Sequence, residues 1–350
     1  MNWTTERVPE LQGYTVEWAG DGSYFLSRRN VLFHSTDLTP PFTRVAVIAA
    51  PAWKRAVSGI RLAQRLLRFM VTNVIPLASG ELFVTFDRSV GVVRDGKYVD
   101  LPGLRRPCRV LRSACAIDNH GDLYFGEYVM NDARGEIRVY RYRPGAGSLE
   151  VAYTFPPGSV RHIHGVYFDR FASALLCLTG DDDRECRMLR TDDGFRTMHT
   201  VGEGDETWRA VSMLFDEAAM SYGMDAEFRA NHFYRMDRST GARTSLAEVS
   251  GTVYYSKQIG KELFFTTSAE NGSARKARVA AIWTVSADGE CVEIARFQKD
   301  PWHGTLFQFG TIHFPYATMS TENLYFSVVG VKEDNETFRI RRTNLQPPNA

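Results

Sequence analysis

The chain has 350 residues, with 42 basic and 41 acidic side chains and a formal net charge of +1. That balance removes the bulk electrostatic case for nucleic acid or an anionic membrane surface. The five cysteines are an odd number without a CxxC pair, no basic-then-apolar leader opens the chain, and no apolar run reaches membrane-spanning length, so the expected location is the cytoplasm with free thiols.

The aromatic content, 22 Phe, 15 Tyr and 6 Trp, suits a β-rich protein. From Tyr14 onward one plan repeats: an apolar strand, a Gly/Asp turn, a second strand ending in polar residues, then a third strand. The first unit turns at Gly20-Asp-Gly22 and continues in Tyr24-Phe-Leu. The stretch from Trp53 to Met70 breaks the plan. Val57, Ile60, Leu62, Ala63, Leu66, Leu67 and Met70 form an apolar stripe, and Lys54, Arg55, Arg61, Arg65 and Arg68 a basic face. This predicts one inserted helix over 53–70, packed on the side of the fold or presented to a protein partner. Further units begin near Asn73, Ser113, His162, Arg209, Val253 and Phe307. A spacing of roughly 40–60 residues is the blade period of propellers. The expectation is an all-β propeller of seven blades, with six as the alternative, each a four-stranded antiparallel sheet, in a single domain over 1–350. The segment up to Gln12 is expected to add a closing strand to the last blade.

Within the fourth unit, Thr191-Asp-Asp-Gly-Phe-Arg-Thr-Met198 is a degenerate form of Ser/Thr-x-Asp-x-Gly-x-Thr-Trp. Thr191, Asp193 and Thr197 keep their places, Phe195 replaces the second Gly, and Met198 replaces the Trp. A hydroxyl and a carboxylate there bond the turn's own amides, and the closing apolar residue plugs the sheet. Ser35-Thr-Asp37 ending at Phe42, and Ser286-Ala-Asp288-Gly289, are weaker echoes. On these residues the chain resembles the Asp-box (BNR-repeat) β-propellers, the sialidase-like group. The stretch from His162 to Arg243 is most similar to uncharacterised bacterial members. The resemblance implies the fold and a link to carbohydrates. The Phe/Tyr-Arg-Ile-Pro start of sialidases is missing, since Phe42-Thr-Arg-Val differs, which argues against sialic-acid cleavage.

In a propeller the first strand of each blade lines the central channel, and its start meets the end of the second strand at one rim. Aligning the units therefore nominates a site. First-strand starts give His162, His164, Trp208, Arg209, Tyr254, Tyr255 and Gln308, with Arg161 beside them. Second-strand ends give Arg28, Arg88, Glu127, Tyr128, Asp181, Asp225 and Glu270. His162 and His164 are two apart on a strand and so share a face. They suit ligation of a metal with Asp181, or general acid/base work. The second use is retained, and no metal or cofactor is assigned. Arg209 would neutralise a carboxylate, His162 or His164 would act as base and Tyr128 as acid, with Arg28, Arg88, Glu127, Asp181, Trp208, Asp225, Tyr254, Tyr255, Glu270 and Gln308 lining the substrate. The function expected is that of a lyase or glycosidase on an acidic oligo- or polysaccharide. The alternatives are a non-catalytic glycan-binding propeller and a protein-interaction scaffold.

Overall fold

The computed structural model describes residues 3–20, 22–270, 277–286, 289–316 and 323–342. Asp21 of the first turn and Asp288 of the third turn echo lie outside the described residues. Seven four-stranded antiparallel sheets form a β-propeller, six of them from four consecutive strands. The first strands are Thr15–Gly20, Val71–Pro76, Cys115–Ile117, His162–Asp169, Ala210–Phe215, Val253–Ile259 and Thr311–His313. They fall within a few residues of each unit start expected from the sequence. The seventh sheet takes its outer strand from the other end of the chain: Trp3–Arg7 pairs with Thr337–Arg342, in register from Trp3 opposite Arg342 to Arg7 opposite Phe338. No helix of the described residues is long and apolar enough to cross a membrane.

Second strands carry the core. Leu82–Phe86 and Ala174–Gly180 are buried at every position, because neighbouring blades cover both of their faces. This is why they read as unbroken apolar runs while the outer strands alternate. Phe83 meets Phe125 of the next blade at 5.7 Å between ring centroids, and Phe233 stacks on Phe265 at 4.6 Å. Each such ring contributes roughly 1.5–3 kcal/mol through burial. Where a second strand passes the next blade's first strand, glycine lets the backbones approach. A Cβ on Gly126 would lie 2.3 Å from Ile163, and one on Gly223 would lie 2.3 Å from Val253.

The Asp-box-like turn joins the third and fourth strands of blade four. Thr191 Oγ1 donates to Asp193 Oδ1 at 2.9 Å and accepts from the Phe195 amide at 3.0 Å. Asp193 also accepts from the Arg196 and Thr197 amides, each at 3.0 Å. The plug is Phe195, not Met198: positive φ, 73°, turns the phenyl ring inward to 2% exposure, and Met198 stays half-buried. Ser35 and Asp37 build a related turn at the same position in blade one, with Ser35 Oγ accepting from the Leu38 amide at 2.9 Å and Leu38 as the buried residue.

The inserted segment departs from expectation. It forms two short helices, α1 (Ala52–Val57) and α2 (Arg61–Leu66), broken at Ser58-Gly59 and ended by Arg68 at φ 54°. Its basic face is largely consumed internally. Arg65 is 2% exposed and pairs with Asp300 at 2.5 Å, and Arg61 pairs with Asp334 at 2.8 Å. The α2 helix rests on α3 (Gly304–Phe307), where Arg65 also donates to the Phe307 carbonyl at 2.6 Å. A partner surface along 53–70 therefore loses two of its arginines to blade seven.

Two outcomes follow from this packing. Replacing Arg65 by Ala leaves Asp300 buried without its guanidinium and should cost about 3–5 kcal/mol in chemical denaturation. Deleting residues 1–7 uncovers the edge of Thr337–Arg342 and removes Trp3, which packs edge-on to Phe264 at 5.1 Å. It should cost at least about 3 kcal/mol and produce higher oligomers in size-exclusion chromatography.

Candidate functional site at the channel mouth

The first strand of blade four sets the centre of the site. Ile163 takes the face toward Gly126, so His162 and His164 share the other, with ring centroids 5.1 Å apart. A bulge between Ile163 and Gly165 brings the imidazoles toward the end of the blade's second strand. There Asp181, at φ 147°, carries its carboxylate to both: His162 Nε2 lies 3.4 Å from Oδ2 and His164 Nε2 3.5 Å from Oδ1. Arg161 binds Oδ2 at 2.9 Å and Arg209 binds Oδ1 at 3.0 Å. Arg209 extends to Asp225, Nε to Oδ2 at 3.2 Å. Tyr128 lays its ring 4.2 Å from that of His162. On the adjoining blade, Tyr254 donates to Glu270 at 2.5 Å.

The electrostatics divide the mouth into two sides. Asp181, Asp225 and Glu270 make an acidic side. Asp181 is held in its charged form by Arg161 and Arg209, whose guanidiniums lie 2.9 and 3.0 Å from its two oxygens. Asp225 has the opposite fate. Burial, with repulsion from Glu270 and Asp181, outweighs Arg209 and pushes it up to about 8. Burial and the same three carboxylates keep the Tyr128 phenol protonated, and burial with Asp225 and Glu270 does so for Tyr254. The basic side is Arg68, Arg88 and Arg109. Burial and the repulsion of Arg109 and Arg65 push Arg68 down to about 10. Burial lowers Arg109 as well, with Arg88 adding to it and Asp87 opposing.

Arg109 is the residue that sequence reasoning missed. Its backbone pairs with that of Tyr128, 3.1 Å in both directions, so the two side chains leave on one face. Its guanidinium forms no salt bridge among the described residues, and its Nε is buried without a partner. The Tyr128 hydroxyl likewise forms no hydrogen bond among the described residues. The available signal was an arginine on the segment entering blade three, six residues before the first strand and outside the window the alignment used.

Of the nominated residues, the structure gathers Tyr128, His162, His164, Asp181, Arg209, Asp225, Tyr254 and Glu270, and sets Arg88, which is exposed, beside Arg109. Five others lie elsewhere. Glu127 points opposite to its neighbour Tyr128 and is fully buried in blade three, bound by Arg106 at 2.7 Å and the Tyr140 hydroxyl at 2.8 Å. Trp208 packs between Gly202 of blade four and Arg243, whose guanidinium lies 3.9 Å over its ring. Tyr255 follows a bulge and turns to His313, at 5.0 Å. Arg28 is exposed over the Tyr14 ring at 5.4 Å. Gln308, at φ 69°, rests on the Met70 sulfur at 3.4 Å. Arg209 is enclosed by Asp181 and Asp225 and is not presented to a ligand. A cavity of about 530 Å³ opens at the other end of the first strands, lined by Arg112, Tyr167, Tyr255, Lys257 and Tyr316 among others.

Neither a protein-family model nor a curated protein matches the sequence. Solved structures are similar in fold. The extracellular domain of a putative hybrid two-component system from B. thetaiotaomicron aligns at TM-score 0.61 and 11% identity, over 98% of this chain and 40% of that one. An oligogalacturonate lyase in complex with manganese aligns at 0.60 and 10%, over 97% and 93%. The oligogalacturonate lyase of Vibrio parahaemolyticus aligns at 0.59 and 8%, over 98% and 97%. The chain thus spans well under half of the first of these. Likeness at this identity establishes the fold alone.

The Asp225 carboxyl gives a pH test. Between about pH 4 and pH 8 the folded chain keeps this proton and the unfolded chain releases it, given an ordinary value of 3.8. The unfolded state then binds fewer protons, so stability falls as pH rises through that window. Urea denaturation at pH 5, 6.5 and 8 should show the decline in wild type and a shallower slope in Asp225→Asn.

Proposed function

We propose that the channel mouth acts on an acidic oligo- or polysaccharide, most simply as a uronate-directed lyase, with the whole chain serving as one propeller domain. The observation that carries the reading is the adjacency of two uncommitted polar groups, the Tyr128 phenol and the Arg109 guanidinium, on one face of the mouth. A sugar carboxylate suits Arg109, which forms no salt bridge among the described residues although both Asp87 and Arg88 act on its charge. Neutralising that carboxylate acidifies the adjoining ring C–H and stabilises the carbanion of β-elimination. A carboxylate of the acidic side takes the ring C–H proton, the ring double bond forms as the glycosidic C–O bond breaks, and Tyr128, kept protonated by burial and that acidic side, gives its proton to the departing oxygen and is reprotonated from solvent.

The imidazoles take a supporting place in this scheme. Each turns Nδ1 to a backbone carbonyl and Nε2 to Asp181, which leaves neither presented to a sugar at the rim. The charge role assigned by sequence to Arg209 passes to Arg109, because Arg209 is held by Asp181 and Asp225. Two further observations support a carbohydrate reading. The turn at Thr191–Thr197 makes the side-chain-to-amide hydrogen bonds expected from its sequence resemblance to an Asp-box. Two of the propellers similar in fold are oligogalacturonate lyases.

The test is absorbance of unsaturated product from a panel of oligouronates. Tyr128→Phe should lower kcat by about 10²–10⁴-fold with KM little changed. Arg109→Gln should raise KM about tenfold or more, the loss of one charge-assisted contact. Turnover that neither substitution alters would remove these assignments. Saturable glycan binding without turnover would leave a binding propeller in place of a lyase.

A further inference from the structure

We infer that His162, His164 and Asp181 form a binding site for a divalent first-row transition-metal ion, coordinated by the two Nε2 atoms and the carboxylate. The inference concerns the ion alone and stands apart from the identity of any sugar. The first step is tautomeric. His162 Nδ1 lies 3.2 Å from the Val129 carbonyl oxygen and His164 Nδ1 lies 3.0 Å from that of Ala210. A carbonyl only accepts, so both Nδ1 atoms carry hydrogen. In the neutral rings each Nε2 is then a bare lone pair, and each points at a carboxylate oxygen, another acceptor.

Acceptors do not face acceptors in a buried place without something between them. A proton on each Nε2 would draw the pairs to about 2.7–2.9 Å, the length of a charge-assisted hydrogen bond. The separations are 3.4 and 3.5 Å. His162 Nε2 is buried without a hydrogen-bond partner among the described residues, in a residue only 4% exposed. An ion fits where a proton does not. Two donors each about 2.1 Å from a tetrahedral centre lie about 3.4 Å apart. One ligand atom from each of the three residues falls within 4.8 Å of the others.

The surroundings match what metal-bound imidazoles need. A ligating histidine commonly donates its other ring N–H to a carbonyl or carboxylate, which fixes tautomer and ring plane, and both rings already do so. Arg161 and Arg209 each use one lone pair of Asp181 and leave a second on each oxygen. Their positive charge lowers the affinity expected of the site without removing a ligand. Two imidazoles favour Zn²⁺ over Mg²⁺ or Ca²⁺, Mn²⁺ should bind more weakly than Zn²⁺, and three protein ligands leave a coordination position open.

The full chain, stripped with chelator and desalted, is titrated with Zn²⁺ alone and with Mn²⁺ alone by calorimetry, with Mn²⁺ also followed by its EPR signal. One equivalent should bind. His164→Gln and Asp181→Asn should weaken binding by about a hundredfold or more, at least the effect of losing an outer partner. His199→Ala, a change to an exposed histidine of the same blade, should bind as wild type does. Wild-type protein that takes up neither ion more tightly than His164→Gln overturns the site, whether or not the variants fold. An ion bound without any glycan turnover would count against the lyase and leave the metal site standing.

Discussion

Closure of the ring is the constraint on which every other feature depends. Each blade covers its neighbours' faces, so a sheet left without a neighbour would expose an apolar surface and a row of unpaired backbone groups. The chain meets this by spending its first strand on its last blade, with Trp3–Arg7 alongside Thr337–Arg342. Seven first strands are thereby held side by side with their starts at one mouth. Tyr128, Arg209 and Glu270 come from three different blades and meet only because the ring is shut.

At that mouth the organising group is Asp181. Two guanidiniums and two imidazoles converge on one carboxylate. Charge so concentrated is costly to assemble in a buried place: Asp225 retains its proton, chiefly because it is itself buried and further because Glu270 and Asp181 repel another negative charge. The basic side across Tyr128 is built in the reverse sense. Arg68, Arg88 and Arg109 crowd one another, with Asp87 nearby and no salt bridge to any of the three among the described residues.

Local devices show why part of this was legible in the sequence. Second strands buried on both faces must be apolar throughout, so Leu82–Phe86 and Ala174–Gly180 announced themselves, and with them the blade period. His162 and His164 were legible as a pair because strand alternation fixes their common side. Glu127 misled for the same reason: adjacent to Tyr128, it had to face the other way. Tyr255 misled because a bulge shifts register in a manner no residue type advertises. The helix over 53–70 misled because periodicity cannot see that Arg65 would find Asp300, 235 positions away.

The sequence by itself determined the blade period, the order of the units and the common side of the paired histidines, since these follow from burial pattern and alternation along a strand, while the closed ring fixed seven blades over six. Tertiary structure alone decided which charges meet. Arg209 looked like a ligand-binding cation until Asp181 and Asp225 were seen to enclose it, and Arg109 looked ordinary until its guanidinium was seen to lack a salt bridge among the described residues. The reason is physical: hydrophobic periodicity is a property of neighbouring positions, whereas the pairing of charges depends on separations of a few ångströms between residues that only the closed ring brings together.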